Sequence, residues 1–235
     1  LARRLAKGTL RTDERTLQRH AGDKWFAANP PDAVAFPRST KAVAEILRFA
    51  NRHRIPVTAR GAGHGYVGGC VPVRGGIALG LARMNRIREI GGGDFVAVVQ
   101  PGVITAALQD AAEAKGLYYP PDPASRADCS IGGNIATNAG GPRCLKYGVT
   151  RDYVLGLEVV LPDGSVAALG GRCGRWALGS RLTVMTVMTI YITYTPPNGR
   201  SEEHTSELQS LVNLVCRPLL AKKKTKKILK ITLHA

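Results

Sequence analysis

Residues 129–141 read Cys129-Ser130-Ile131-Gly132-Gly133-Asn134-Ile135-Ala136-Thr137-Asn138-Ala139-Gly140-Gly141. Two Gly-Gly pairs flank a run of small and polar side chains, and Asn134 and Asn138 stand four apart, the spacing of one helical face. Small side chains let a flat ring lie close to the backbone. Ser130, Thr137 and the two asparagines would supply donors and acceptors along its edge. An ordinary turn needs one or two glycines, so this composition points to a ligand rather than to a connector.

Two further loops lie upstream. Arg60-Gly61-Ala62-Gly63-His64-Gly65-Tyr66-Val67-Gly68-Gly69 follows a strand-like run. Glycines there allow positive φ and let backbone N–H groups gather into a concavity that suits an anion such as a pyrophosphate. The spacing resembles a dinucleotide fingerprint, but that motif must open a long helix. Here the loop runs into Cys70-Val71-Pro72-Val73-Arg74-Gly75-Gly76 and another strand, which disfavours the doubly wound fold. Tyr118-Tyr119-Pro120-Pro121-Asp122-Pro123-Ala124-Ser125 is stiffened by three prolines and carries one carboxylate and one hydroxyl. Together the three loops suit a nucleotide joined to a ring system better than a simple phosphate.

Around the loops the pattern is α+β. A helical period runs through residues 13–29. A short strand near residue 34 is followed by Pro37, a Ser39/Thr40 N-cap and a helix bearing Val43, Ile46, Leu47 and Ala50 on one face. Strands are expected at Ile55–Ala59, Ile77–Leu81 and Phe95–Gln100, and a helix through residues 104–116 closes on Gly116. Pro162-Asp163-Gly164 is a hairpin turn between strands at Val154–Leu161 and Ser165–Leu169.

RGAGHGYVGG, YPPDPAS, CSIGGNIATNAGG and CLKYGVTRDYVLGLEVVLPDG, in this order and spacing, resemble the FAD-binding domain of the vanillyl-alcohol-oxidase (PCMH-type) superfamily. The likeness is greatest to the glycolate oxidase flavin subunit and the D-lactate dehydrogenases, and it covers roughly residues 10 to 171. It implies two α+β subdomains with FAD between them and a separate cap domain that this chain lacks. Arg60, Gly61, Ala62, Gly63, His64, Gly65 and Gly68 would wrap the FAD pyrophosphate. Pro121, Asp122 and Ser125, with Ser130, Ile131, Gly132, Gly133, Asn134, Thr137, Asn138, Gly140 and Gly141, would line the flavin and ribityl chain. The implied reaction is oxidation of a small 2-hydroxy acid by hydride transfer to FAD, with an electron acceptor or partner subunit taking the electrons. Substrate-binding and base residues belong to the cap and C-terminal parts of such proteins, so no catalytic residue and no metal ligand is named, and the fragment is expected to be inactive. In relatives of berberine bridge enzyme a histidine at the place of His64 bonds covalently to the flavin. The alternative reading is therefore an oxidase of that type, or of the sugar and lactone type, with FAD linked to His64.

The 235 residues carry 44% apolar and 21% charged side chains, enough for a packed core and against wholesale disorder. Net charge is +16, which suggests an anionic partner. Only 6% of residues are aromatic and no reader motif is present, so a nucleic-acid-binding protein is the weakest reading. Cys70, Cys129, Cys144, Cys173 and Cys216 form no C-x-x-C pair, as expected of reduced structural thiols in a cytoplasmic protein. No apolar run is long enough to span a bilayer, although peripheral membrane contact is compatible with the charge.

After Gly171 the resemblance decays. RSEEHTSELQS, from Arg200, resembles the translation of an adapter oligonucleotide used in short-read DNA sequencing, and AKKKTKK follows it. Residues 200–235 hold 8 Lys and Arg against 3 Asp and Glu, leaving 25 against 14, or +11, for residues 1–199. The expected layout is an N-terminal helical segment over 1–33, subdomain 1 over 34–100, subdomain 2 over 101–199 (degraded after 171), and a non-native tail over 200–235.

Overall fold

Ser39 opens helix α2 (Thr40–Arg52) by accepting the Ala42 N–H on its hydroxyl at 3.3 Å. The helical period then gathers Val43, Ala44, Ile46, Leu47 and Ala50 on one buried face. At about 1.5–3 kcal/mol per fully buried large aliphatic side chain, that face contributes more than the roughly 1 kcal/mol of the cap. In the computed structural model, which describes residue 1, residues 5–171 and residues 227–228 and 230–233, this face covers the first of two sheets. The expected degraded stretch after 171, and most of the expected tail, lie outside the described residues.

The first sheet contains β2 (Ala33–Ala35), β3 (Val57–Arg60) and β4 (Ile77–Gly80), parallel to one another with β4 in the middle. β1 (Leu10–Arg11) closes its edge antiparallel to β2. All four residues of β4 are buried, as a central parallel strand covered on both faces requires. Ala35, Ile46, Leu79 and Met84 form this unit's core.

The second sheet is ordered β5 (Ile87–Ile90), β6 (Val96–Val99), β11 (Lys230–Leu233), β8 (Val154–Val160) and β9 (Val166–Gly170). The β8–β9 hairpin turns where expected: Gly164 has φ of +78° and Asp163 Oδ1 accepts the Ser165 N–H at 2.8 Å. α3 (Thr105–Glu113), β7 (Leu117–Tyr118) and α4 (Ile131–Thr137) pack Leu108, Tyr119, Ile131 and Ile135 into a core with Val99, Tyr153 and Leu157. α5 (Cys144–Tyr147) follows at the surface.

β8 belongs to both units. Leu157 and Val159 join the second core, while Val160, on the other face of the strand, joins the first. Thr40 donates to Glu158 Oε1 at 2.6 Å, and Arg48 Nη2 donates to the Gly164 carbonyl at 2.7 Å. Helix α2 is thereby fastened to the β8–β9 hairpin from behind. Two α+β subdomains share one strand, and the cleft between them stays open on the opposite side.

The N-terminal segment differs from its helical expectation. α1 spans only Glu14–Arg19, capped by Asp13 and ended by His20. The chain then turns at Gly22, which bridges to Ala28, and the Asn29 N–H bonds Ala21 O at 3.0 Å. Asp23 and Lys24 are taken up by the 61–69 loop instead, which overrides the local helical period. β1 also places residues 10–11 inside the first sheet rather than in a separate helical segment. β5 escaped notice because Arg88 and Glu89 interrupt its apolar pattern.

Lys230–Leu233 fills the gap between β6 and β8 as a parallel strand, and β10 (Lys227–Ile228) pairs with β7. Parallel ladders are made by main-chain groups, so an open gap between two strands accepts extended backbone of many sequences.

Ile46 is fully buried. Ile46→Ala should therefore lower unfolding free energy by about 2–5 kcal/mol, read as a lower urea midpoint at constant m-value.

Candidate functional site

Arg60 ends β3 and is only 9% exposed. Its Nη1 donates to Gly22 O at 2.5 Å and approaches Cys70 Sγ at 3.5 Å. No described carboxylate forms a salt bridge with it. The guanidinium lies directly beneath Gly63, which has φ of +78° and where an added Cβ would collide with it. The loop above is held from the N-terminal side: Asp23 Oδ2 accepts the Gly68 N–H at 2.9 Å, and the Lys24 N–H bonds Gly65 O at 3.1 Å.

Between these anchors, none of the N–H groups of residues 62–65 is taken by a protein acceptor among the described residues. Ala62, Gly63, His64 and Gly65 instead line a cavity of about 570 Å³. Unmade backbone bonds are costly unless a ligand or water completes them. A buried guanidinium with no carboxylate beside it likewise favours an anion nearby. His64 is held below the ordinary imidazole range, first by burial and then by Lys24, which favours its neutral form. Burial pushes the Cys70 thiol up, so it is not a thiolate near neutrality.

The opposite wall comes from α4. Ser130 caps it by accepting the Gly133 N–H at 3.3 Å, and Asn134 Nδ2 donates to Thr105 Oγ1 at 2.7 Å, pinning the helix to α3. The loop wall meets α4 closely at Gly61, and α4 packs closely on Pro101 at Gly132. An added Cβ on Gly61 would collide with Ser130 Oγ, and one on Gly132 would lie 2.7 Å from Pro101 Cβ. Glycine is required at both places for lack of room.

A second, apolar cavity of about 170 Å³ adjoins the first and lies between the two cores, lined by residues such as Val43, Leu79, Met84 and Leu157. Ala59, Gly61, Gly133 and Ala136 border both cavities. The site is thus a largely apolar chamber, edged by the free amides of residues 62–65, joined to a smaller apolar slot across small residues. That is the shape a diphosphate carrying flat rings requires.

The candidate residues divide accordingly. Gly61, Ala62, Gly63, His64, Gly65, Ser125, Ser130, Gly133, Asn134 and Thr137 line the larger cavity, and Arg60 and Gly132 line the adjoining slot. Ile131 is fully buried in the second core. Gly68 lies at the loop's far end, tied to Asp23. The Pro121 carbonyl accepts Gln109 Nε2 at 2.9 Å. Asp122 is paired with Arg126 at 3.5 Å and Arg143 at 3.2 Å. Asn138, in the left-handed conformation at φ of 50°, accepts the Arg151 N–H at 3.1 Å. Gly140 O accepts the Asp122 N–H at 3.2 Å, and Gly141 crowds the Asp122 carbonyl so closely that no side chain fits. These last residues join the proline loop to the end of α4 rather than meeting the cavity. Ala59, Tyr66, Val67, Cys70, Pro123, Cys129, Ala136 and Ala139 also line it. They lie in or beside the same three loops, and most are small or apolar side chains that carry no ligand-binding signal in the sequence.

The family model of the FAD binding domain matches residues 31–170. The chain belongs to the FAD binding domain family. Curated relatives of the flavin domain include the glycolate oxidase subunit GlcD of Bacillus subtilis (strain 168), 49% identical over 157 residues, covering 67% of this chain and 33% of the relative. The D-lactate dehydrogenase of Anaerostipes hadrus is 43% identical over 152 residues, covering 65% of this chain and 32% of the relative. The chain thus spans about a third of the length of these relatives. Among solved structures, an alkyldihydroxyacetonephosphate synthase superposes with a TM-score of 0.68 at 22% identity, covering 78% of this chain and 38% of the other. The 6-hydroxy-D-nicotine oxidase of Arthrobacter nicotinovorans gives 0.59 at 24%, covering 71% of this chain and 36% of the other. These likenesses show the fold, the PCMH-type arrangement of mixed α and β.

Gly61→Ala should weaken FAD binding about tenfold or more, because Ser130 must leave its capping position and the wall must retreat. Gly92→Ala, where an added Cβ meets nothing within 4 Å and which borders neither cavity, should change it little. Titration of FAD fluorescence against each variant measures the contrast.

Proposed function

We propose that the chain is the flavin-binding part of an FAD-dependent oxidoreductase of the glycolate oxidase and D-lactate dehydrogenase type, acting on a small 2-hydroxy acid. The observation that carries the cofactor reading is the run of unpaired amides at residues 62–65 above the buried Arg60 guanidinium. Those amides would donate to the diphosphate oxygens, while Arg60 would balance the charge from below. The slot shared by Gly133 and Ala136 would take a ring edge-on, with Ser130 and Thr137 offering hydroxyls to the linking chain. FAD, when bound, supplies the two-electron chemistry. The chain's own work is to hold the cofactor, exclude water from the apolar slot and fix the ring's orientation.

The 2-hydroxy-acid reading is supported by relatives whose names are glycolate oxidase subunit, D-lactate dehydrogenase and D-2-hydroxyglutarate dehydrogenase. Substrate residues are assigned to the part of those relatives that this chain does not match. An electron acceptor or partner subunit would then reoxidise the flavin. Among the described residues no helix is long and apolar enough to cross a membrane, and a cytoplasmic location is proposed. Residues 200–235 are proposed to lie outside the flavoprotein's evolved sequence, a reading supported by the family match ending at residue 170. An independent read of the source gene tests it.

A second reading, a covalent flavoprotein oxidase, is favoured by one observation: His64 lines the cavity as a mostly neutral imidazole. Acid precipitation of the FAD-loaded chain separates the two. Flavin released into the supernatant, with binding retained by His64→Ala, is the expected result; flavin remaining with the pellet would establish the covalent link. The 235-residue chain is further expected to bind FAD without bleaching it when glycolate or D-lactate is added anaerobically. Bleaching by this chain would overturn the assignment of substrate residues elsewhere.

A further inference from the structure

Outside the flavin cleft, a polar cavity of about 580 Å³ is lined by Arg38, Arg83, Asn85, Arg86, Arg88 and Gln100, with Ala82. It shares no lining residue with the two cavities of the cofactor site. Four of its seven lining side chains are guanidiniums, and none is a carboxylate. None of the four enters a salt bridge among the described residues. Like charges gathered in one concavity without counter-charges oppose each other, so the arrangement favours a bound anion.

The wall is held in place before any ligand arrives. Arg83 Nη1 donates to Gly8 O at 3.0 Å, and its guanidinium lies 5.2 Å from the centre of the Phe36 ring. Met84 between the arginines is fully buried and anchors the segment in the first core. The second, independent feature is Gln100, only 4% exposed. Its Oε1 accepts the Arg86 N–H at 3.0 Å, which fixes the carboxamide, and its backbone N–H bonds Arg86 O at 2.9 Å. The Nε2 donor has no acceptor among the described residues, and the side chain lines the cavity. An amide on a residue only 4% exposed, fixed by its own oxygen and open to the cavity beside several guanidinium forks, makes a donor-rich set matched to phosphate oxygens.

We propose that this cavity binds a small soluble molecule bearing a diphosphate or more than one phosphate ester, at a site separate from the flavin. Concavity favours a small ligand over a flat protein surface. With Ala82 as the sole apolar lining residue, the site offers little to a bilayer.

Inorganic pyrophosphate is the probe, titrated calorimetrically into the full chain saturated with FAD. Wild type should bind pyrophosphate more tightly than orthophosphate. The double variant Arg86→Gln/Arg88→Gln, at exposed positions, should lose at least tenfold in affinity with its thermal unfolding and FAD binding unchanged. The control Arg15→Gln/Arg19→Gln, which removes the same charge from exposed positions of α1, should bind as wild type does. Equal losses in both double variants would show diffuse charge rather than a site and overturn the proposal. Absence of pyrophosphate binding, or binding only when FAD is removed, would overturn it too. Association with anionic phosphatidylserine vesicles without pyrophosphate binding would overturn it in favour of a membrane surface.

Discussion

The Arg60 guanidinium, 9% exposed and without a carboxylate partner among the described residues, is the constraint on which the cofactor site depends. Taking an unpaired charge out of water costs several kcal/mol even after the surroundings relax. Here its hydrogen bond to the Gly22 carbonyl offsets part of that cost and, with it, ties the N-terminal turn to the end of β3. The same turn supplies Asp23 and Lys24 to the ends of the 61–69 loop. The buried cation therefore ties the turn to the end of β3, and its guanidinium lies beside Gly63 in the loop whose amides are free.

The second constraint is the shared strand β8. Because strand side chains alternate between faces, Leu157 and Val160 serve different cores. Rotation of one subdomain against the other would have to break Thr40–Glu158 and Arg48–Gly164 as well as pull Val160 from its core. The two subdomains are thus held together close to where Gly61 meets Ser130 across the cleft. At that point the packing leaves no room for a methyl group, while the cavity opens beside it.

Much of this was legible in the residues. The α2 helix, the 104–116 helix, the PDG hairpin and four of the strands followed from period, cap and turn chemistry, each a local signal acting within a few residues. The cofactor loops were legible too, since a Gly-rich segment after a strand and a Gly-Asn-Thr run have few other uses. What escaped was non-local. Residues 20–29 carry a helical period, yet Asp23 gains more as an acceptor for Gly68, 45 residues away, than as one turn of an exposed helix. Asp122 is expected beside the cofactor, and no local pattern shows that its carboxylate also pairs with Arg126 and Arg143. Nothing near Arg38 or Gln100 hinted that they would border one cavity with residues 82–88.

By itself, then, the sequence determined the principal helices and strands with strong caps and periods, the glycine-rich loops and their suitability for a nucleotide joined to a ring, because caps, periods and backbone freedom act over one or two turns of chain. Only the tertiary structure decided which polar groups face the cleft and which are spent on holding it. That choice depends on which groups are left without partners once the cores have packed. Arg60 beneath the loop, Asn134 pinned to Thr105 and Gln100 bonded to Arg86 found their roles through contacts that span 14 to 38 residues of chain. A donor's partner at that range is set by sheet register and shared cores, which no local pattern encodes.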